Sequence, residues 1–274
     1  MLDKVDLKKE FRKYGIDTFG VCDATLYNQH TGADYKTCIV ALFPYFCGYD
    51  KDSNLSIYAQ GTDYHIVARD ILTKVAETLE LGDYEVFADT GPHIERRLCV
   101  DSGLAFVGRN GMCISRKYGS YFFVGYIVCR LDLELSQRTE DSCMNCMRCV
   151  NECPGNALLD GFDISRCLSH ITQKRGELTE WETELVRDSG SVFGCDICQK
   201  VCPHNRGVTH SDISLFTEDR ITNLSLDDID KLSNKAFREK YGNRAFSWRG
   251  KGVLCRNLQI INPGEVTEDE DSNT

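Results

Sequence analysis

The sequence predicts an N-terminal domain of the α+β or α/β class, followed by a small cysteine-rich domain. Strand and helix patterns alternate through the first half of the chain, and eight of the 15 cysteines fall between residues 143 and 202. A chain of 274 residues with 42% hydrophobic content can bury the core of one large domain or of two. We expect a mixed domain over 1–135, a cysteine-rich domain over 136–215, a helical segment packing back on both over 216–262, and a disordered acidic tail over 263–274.

The first elements follow from apolar spacing. Residues 2–14 predict a helix that ends at Gly15, with Val5, Leu7 and Phe11 as its apolar positions. Strands are predicted over 18–22 and 37–43. The second strand is a continuous apolar run before Pro44, which is typical of a central strand covered on both faces.

A long helix is predicted over 63–81. Its inward positions are Val67, Ile71, Val75 and Leu79, and Gly82 ends it. The segment YAQGTDYH at its start concentrates two tyrosines, an acid and a histidine. Two interpretations stay open: Asp63 caps the helix, or Tyr64 and His65 belong to the rim of a site for a large planar ligand.

Asp89 follows a predicted strand over 85–88, in the sequence DTGP that leads into a further helix. The carboxyl ends of strands are where α/β proteins build their sites, so we expect a site here. The loop GLAFVGRNG then carries three glycines, which let a backbone approach a ligand closely. Two strands over 112–115 and 121–128 are predicted to be joined by a turn at Tyr118 and Gly119. An N-cap aspartate with an ordinary connecting loop is the alternative.

Two cysteine motifs define the second domain. Residues 143–154 read CMNCMRCVNECP, the spacing of a bacterial ferredoxin, in which the fourth thiolate ligates the other cluster. Residues 195–203 read CDICQKVCP, and Cys167 lies alone between the two motifs. Paired CxxC motifs also form zinc ribbons. A third close thiol and the repeated Cys-Pro ending favour two 4Fe-4S clusters instead.

The crossover rule divides the thiols into two sets of four. One cluster is predicted on Cys143, Cys146, Cys149 and Cys202. The other takes Cys153, Cys195 and Cys198, with Cys167 as the obvious fourth ligand. The seven remaining cysteines are interpreted as small buried hydrophobes: Cys22, Cys38, Cys47, Cys99, Cys113, Cys129 and Cys255.

Charge and cysteine usage bound the location and the partners. The net charge is −10, and five carboxylates lie in the last ten residues. When these five are set aside, the charge of the remaining chain neither supports nor excludes a nucleic acid as a partner. Clustered thiols indicate a reducing compartment. The charged N-terminus is not a signal peptide, and no apolar run approaches the roughly 18 residues of a membrane span. We therefore expect a cytoplasmic protein without a membrane partner.

Seven segments together resemble the epoxyqueuosine reductase family, whose members use cobalamin and iron-sulfur clusters in the last reductive step of queuosine synthesis in tRNA. The segments are YAQGTDYH, DTGPHIERRLCVDSGLAFVGRN, YGSYFFVG, CMNCMRCVNECPGNAL, SRCLSHIT, FGCDICQKVCPHN and FREKYGNRAFSWRGKGVLCRN. The resemblance implies an N-terminal α/β cobalamin-binding reductase domain against a bacterial-type two-cluster 4Fe-4S ferredoxin domain.

The resemblance also implies roles for individual residues. Asp89 matches the family's proton donor. Such a donor is needed because the conversion of an epoxide to an alkene is a reduction by two electrons and two protons. We expect burial by Phe87, Pro92 and Phe106 to keep the Asp89 carboxyl protonated. Cobalamin would couple this two-electron reduction to iron-sulfur clusters, each of which carries one electron at a time. The implied cobalamin contacts are Asp89, Cys113, Val124, Ser169, Arg109, Tyr64 and His65. The implied partners are tRNA and a low-potential donor such as a flavodoxin or ferredoxin, with the protein as a monomer.

Departures from the family pattern bear on the substrate. The usual Gly-Trp-x-Gly-Lys element reads Ala105-Phe106-Val107-Gly108-Arg109, Gly91 replaces a small apolar residue, and many relatives continue into helical repeats that grip tRNA. Two alternatives therefore remain: a cobalamin-dependent reductase of a small molecule or corrinoid, and an electron-transfer protein. A basic and aromatic segment has the composition of a nucleic-acid contact or of a solvated helix face: Arg238, Lys240, Arg244, Arg249, Lys251 and Arg256 among Phe237, Tyr241, Phe246 and Trp248.

Overall fold

The computed structural model describes residues 4–92 and 94–263, so the predicted acidic tail lies outside the described residues apart from Pro263. The strands are β1 Phe19–Asp23, β2 Thr37–Pro44, β3 Tyr84–Phe87, β4 Phe106–Val107, β5 Cys113–Ile114 and β6 Phe122–Cys129. The α-helices are α1 Lys4–Arg12, α2 Thr25–Thr31, α3 Tyr64–Thr78, α4 Glu95–Asp101, α5 Arg148–Asn151, α6 Leu168–Ile171, α7 Glu180–Ser189, α8 Ile197–Lys200, α9 Ser214–Thr217, α10 Leu226–Ile229, α11 Asn234–Tyr241 and α12 Lys251–Ile261. Short 3₁₀ turns lie at Ile57–Ala59, Ile164–Arg166, Pro203–Asn205 and Ala245–Ser247.

A four-stranded antiparallel sheet in the order β1-β2-β6-β3 is the centre of the N-terminal domain. Every residue of β2 is buried, as its continuous apolar run predicts. Since every pairing is antiparallel, α+β is the predicted class that describes this domain. The rule that sites form at the carboxyl edge of a parallel sheet therefore does not explain the position of Asp89.

Alternation along β2 distributes its side chains to two helical layers. Ile39, Ala41 and Phe43 share a core with α1 and α3. Cys38 and Val40 face the other way and pack with residues of α2 and α4. The sheet is thus covered on both faces, which is why β2 carries no polar face.

Helix boundaries agree with the predicted ones to within a few residues. In α3, Val67, Ile71 and Val75 are buried, whereas Leu79 lies at the C-cap and is half-buried. The expectation for α1 was wrong at one position, since Val5 is 70% exposed while Leu7 and Phe11 are fully buried. A helix of nine residues on the protein surface needs only its inward positions to be apolar.

The two strands predicted over 112–115 and 121–128 form, with a turn between them, but they do not pair with each other as a hairpin. Strand β5 pairs with β4, whereas β6 pairs with β2 and β3 in the main sheet. An isolated bridge between Ser115 and Gly119 closes the turn and does not reach β6. Five of the last six residues of β6 are buried, so this strand gains more by lying inside the large sheet than by pairing with a two-residue neighbour.

The two cysteine motifs each lead into one turn of helix, α5 or α8, and these two helices pack together. Buried polar side chains attach the second motif to the N-terminal domain. Asp196 accepts hydrogen bonds from the Ser56 hydroxyl and the Ile57 amide, the latter at 2.9 Å. The Gln199 amide donates to the Ser120 carbonyl at 2.9 Å. The position of this motif relative to the sheet is therefore fixed by directional bonds.

The predicted C-terminal segment contributes α9 to α12. Phe237, Phe246 and Leu254 form a core with Leu55 and Phe193, which belong to the two preceding regions. Among the helices within residues 4–92 and 94–263, none is long and apolar enough to cross a membrane.

Candidate active site

Four thiols from both motifs line a small cavity at the surface. They are Cys143, Cys146, Cys149 and Cys202. Met144 and Met147 line the same cavity and are both exposed. The residue that ends the second motif thus meets the first three thiols of the first motif.

The other four thiols lie at one end of a larger cavity of about 490 Å³. They are Cys153, Cys167, Cys195 and Cys198. Burial is the main reason that the pKa values of the Cys195 and Cys198 thiols are raised, that of Cys195 to about 12. A positively charged iron centre would reverse this by favouring the thiolates.

The arrangement of the eight thiols suits iron-sulfur clusters better than single metal ions. In the part of the chain that the structure describes, no three Cys, His, Asp or Glu side chains converge closely enough to hold one metal ion. Zinc would require four ligands around one point. A 4Fe-4S cluster binds each thiolate at a different iron, so thiols spread around a cavity fit it.

The larger cavity continues into a second one of about 250 Å³, and we call the two together the groove. Both parts are lined by Arg96, Gly111, Met112, Phe122 and Phe123. Gly111 has a φ of +75°, a left-handed conformation that suits glycine where backbone lines a site. The apolar strand residues form a bed suited to a large planar group, and the thiols lie at one end of it.

Asp89 lines the other end of the groove. It follows β3 with a φ of +58°, so the chain turns sharply there. Its carboxylate accepts a hydrogen bond of 2.5 Å from the Tyr64 hydroxyl, and His65 Nε2 lies 3.6 Å from it. The Tyr64 ring stacks on Phe123 with 4.0 Å between ring centroids. An acid is thereby positioned against the apolar bed.

Charge around Asp89 is organised by the start of α3. Asp63 caps this helix through the His65 amide and also contacts His65 Nδ1 at 2.8 Å, so the capping interpretation of this segment is confirmed. The rim of a site for a planar ligand stays a prediction, with Tyr64 lining the groove. Hydrogen bonding to Asp63, and secondarily to Asp89, raises the pKa of His65 to about 9. Burial, with Asp89 nearby, raises the pKa of Tyr64. At neutral pH this group therefore holds a proton on His65.

The expected burial of Asp89 was wrong. Its side chain is 60% exposed, because the turn after β3 directs it into the open groove and away from the core. Of the three residues expected to cover it, Phe87 and Pro92 are half-buried, and Phe106 belongs to the separate β4–β5 pair. Tyr64 and His65 are the neighbours that the structure gives it.

The other predicted cofactor contacts separate into four places. Cys113 and Val124 line the groove near Asp89, and Ser169 lines it near the thiols. Arg109 lies instead at the small surface cavity, and its guanidinium points toward the Leu159 carbonyl at 3.4 Å. His65 lies next to Asp89, with its Nε2 atom 3.6 Å from the carboxylate.

Sequence reasoning missed several groove residues, namely Arg96, Met112, Phe122 and Phe123. The aromatic pair lies in the segment YGSYFFVG, which matches the family, so that match was the available signal. Five of the seven cysteines outside the two sets are buried, as predicted, whereas Cys47 and Cys255 are half-buried.

Half of the six cations in the basic C-terminal segment have a structural role. Arg244 is buried and paired with Asp219 at 2.6 Å. Arg256 donates to the carbonyls of Lys174 and Gly176. Neither a nucleic-acid contact nor a solvated helix face accounts for all six cations, because three of them bind the protein itself, Lys251 donating to the Asp230 carbonyl. Arg238 and Lys240 are exposed.

Two family models match this chain. The model described as "Epoxyqueuosine reductase QueG, DUF1730" matches residues 29–102. A model described as a 4Fe-4S double cluster binding domain matches residues 142–205. The first range includes Tyr64, His65 and Asp89, and the second includes all eight thiols of the two cavities.

Curated relatives carry the name epoxyqueuosine reductase. The protein from Lactococcus garvieae is 42% identical over 72% of this chain and 58% of its own length. The protein from Cyclobacterium marinum is 30% identical over 82% of this chain and 76% of its own length. The chain thus spans little more than half the length of the first of these relatives.

Solved structures share the fold. Epoxyqueuosine reductase from Streptococcus thermophilus superposes with a TM-score of 0.79 and 27% identity, over 95% of this chain and 81% of that one. An epoxyqueuosine reductase with an epoxyqueuosine-modified tRNA-Tyr stem loop gives 0.76 at 24% identity, over 94% and 80%. A reductive dehalogenase whose structure suggests a B12-dependent mechanism gives 0.55 at 14%, over 92% and 36%.

Proposed function

Because the chain belongs to the epoxyqueuosine reductase family, we propose that it reduces the epoxide of epoxyqueuosine in tRNA to the alkene of queuosine. The observation that carries this proposal is the groove. Four thiols line one end, a carboxylate lies at the other, and an apolar bed joins them. Reduction with loss of oxygen needs an electron source and a proton source near one reacting group, and this groove offers ligands for the first and a carboxyl group for the second.

The cofactor ligands follow from the two cavities. Two 4Fe-4S clusters would be held by Cys143, Cys146, Cys149 and Cys202, and by Cys153, Cys167, Cys195 and Cys198. Cobalamin would lie along the groove over the apolar bed, in contact with Cys113, Val124, Ser169 and Tyr64. When bound, the clusters supply single electrons and cobalamin supplies the two-electron chemistry that an epoxide requires.

Asp89 is proposed to deliver the proton to the leaving oxygen. His65 is protonated at neutral pH and lies 3.6 Å from the carboxylate, so its positive charge can stabilise the ionised Asp89 that remains after the proton is delivered. Tyr64 fixes the carboxylate through its hydroxyl. The side chain faces the open groove, where a bound substrate would cover it and exclude water.

The substrate, the donor and the setting are also proposals. A structure of a family member with a modified tRNA stem loop supports tRNA as the substrate. The exposed position of Cys146 supports electron entry at the small surface cavity from a protein such as a flavodoxin or ferredoxin. We propose that the protein acts as a monomer in the cytoplasm, where reduced thiols persist.

The test is turnover by anaerobically reconstituted protein. The protein, loaded with iron, sulfide and cobalamin, is given a chemical reductant and a tRNA anticodon stem loop that carries epoxyqueuosine. Nucleoside mass spectrometry should detect loss of one oxygen atom, converting epoxyqueuosine to queuosine. Absence of product from fully loaded protein, together with dehalogenation of a bromophenol, would favour the small-molecule alternative.

A further inference from the structure

An exposed tryptophan lies beside the groove and has no part in the chemistry described above. The side chain of Trp248 is 54% exposed, a large apolar area for a residue outside a core. Its position is nevertheless fixed, since the indole Nε1 donates to the Gln173 side-chain oxygen at 3.0 Å. A solvated ring held by a directional bond has little rotational freedom left to lose on binding.

Gln173 connects this ring to the groove. Its side-chain nitrogen donates to the Ser169 carbonyl at 2.9 Å and to the Tyr58 hydroxyl at 3.2 Å. Ser169 and Tyr58 both line the groove at its thiol end. Trp248 is therefore one side chain removed from the lining, which puts the indole at the rim.

One face of the indole is already covered. The Arg249 guanidinium carbon lies 3.6 Å from the centre of the Trp248 ring, within cation–π distance. The exposed area must then belong to the opposite face and the ring edge. Such an open face with a cation behind it is the arrangement that binds unpaired nucleobases beside a phosphate backbone.

We propose that Trp248 stacks on a nucleobase of the RNA that immediately neighbours the reacting nucleotide. This inference rests on the proposed function, because it takes the substrate to be a nucleotide in a single-stranded loop. A nucleotide that reaches into the groove must leave its stack, and a neighbouring base then lacks a partner. Trp248 supplies that partner at the rim and sets the depth to which the strand enters.

The chain contains a matched control. Trp181 is also partly exposed, at 39%, and also pairs with an arginine, Arg166, at 4.9 Å. It is the second residue of α7, and its partner Arg166 donates to the carbonyl of Gly155, which does not line the groove. A general affinity of exposed tryptophans for RNA would involve both residues, whereas a subsite at the rim involves Trp248 alone.

The test is a double-mutant cycle on binding, measured by fluorescence anisotropy of a labelled anticodon stem loop with unmodified guanosine at the reacting position. The protein is the cluster-loaded chain, as parent, Trp248→Ala, Trp248→Phe or Trp181→Ala. Partner RNAs carry an abasic site on one or the other side of that guanosine. No turnover is required, so failure of the reductase proposal is detected separately, by mass spectrometry.

Stacking predicts that Trp248→Ala weakens binding by about 5- to 150-fold, the range for one base on an aromatic ring. One of the two abasic RNAs should weaken binding of the parent equally, and combining it with Trp248→Ala should add nothing further. Trp248→Phe should retain most of the affinity, and Trp181→Ala all of it.

Three results would overturn the inference. They are parent-like binding by Trp248→Ala, equal losses for both tryptophans, or independent losses from the alanine substitution and each abasic site. A parent that does not bind the RNA would overturn it as well. The abasic RNAs need no protein substitution, so unchanged binding of both of them by the parent would overturn the inference even if a variant loses its clusters.

Discussion

The way in which the thiols divide between the two cavities leads to a prediction opposite to the one that their order in the chain would give. Cys153 ends the first motif but lines the cavity of Cys195 and Cys198, whereas Cys202 ends the second motif and lines the cavity of Cys143. Removing Cys153 should therefore damage the same cluster as removing Cys195. Grouping by position in the chain would assign these two residues to different clusters.

The size of the effect follows from the count of thiols. Each cavity holds four, so the loaded parent should contain about eight irons, about four in each cluster. Each of Cys153→Ala, Cys167→Ala and Cys195→Ala should lower the content to about four. The pair Cys153→Ala with Cys195→Ala should still hold about four, because both changes affect one cluster, whereas Cys153→Ala with Cys202→Ala should hold close to none.

The assay is iron and acid-labile sulfide content after anaerobic reconstitution, with electron paramagnetic resonance of the reduced protein to identify the remaining cluster. Cys255→Ala is the control, since this thiol is half-buried and lines neither cavity. If the first pair lost both clusters while the second pair kept one, the crossover would be refuted. Bound zinc in place of iron would refute the cluster assignment itself.

Three further predictions concern the attachment of the domains, the charge at Asp89 and the RNA surface. Gln199→Leu removes the amide from a buried network and should lower the free energy of unfolding by about 3 kcal/mol in urea titrations, whereas the exposed Gln259→Leu should change little. His65→Gln should lower the free energy of unfolding by about 1 kcal/mol below pH 6.5, because the folded state favours the imidazolium, although solvent screens part of this effect. The imidazolium loses its proton as pH rises through about 9, so the thermal midpoints of parent and variant should converge there, and a constant difference would contradict this. If exposed Arg238 and Lys240 contact phosphates, changing each to Ala should reduce the salt dependence of tRNA binding by about one unit of slope, and an unchanged slope would exclude them.

The cysteine chemistry could be predicted because ligand spacing is local. Thiols separated by two residues must converge around a turn, whatever the rest of the chain does. The crossover to Cys202 adds one non-local contact, and the repeated Cys-Pro ending was enough to indicate it. The lone Cys167 was assigned by counting, and it lines the same cavity as Cys153, Cys195 and Cys198.

Strand pairing could not be predicted in the same way. The apolar run of β2 predicts a central strand correctly, because burial on both faces leaves a mark in the sequence itself. The partners of β5 and β6 leave no such mark, since they depend on residues distant in the chain. Proximity therefore suggested a hairpin that the structure does not form.

At the site, too, the sequence predicted the types of residue but not their surroundings. Asp89, Tyr64 and His65 were identified, but not the hydrogen bond that joins Tyr64 to Asp89 across 25 residues of sequence. The exposure of Asp89 depends on a turn conformation that composition does not encode. The structural role of Arg244 likewise depends on Asp219, a tertiary partner that no spacing indicates.

The most direct test of the central claim is single-turnover reduction by Asp89→Asn, with cobalamin reduced chemically so that cluster effects cannot interfere. Asn keeps the shape of the side chain, but it has no acidic proton to give to a leaving oxygen. We predict parent-like iron content and cobalamin binding, with epoxide reduction slowed by about 10²- to 10⁴-fold. Parent-like reduction of the epoxyqueuosine stem loop by Asp89→Asn would contradict the account.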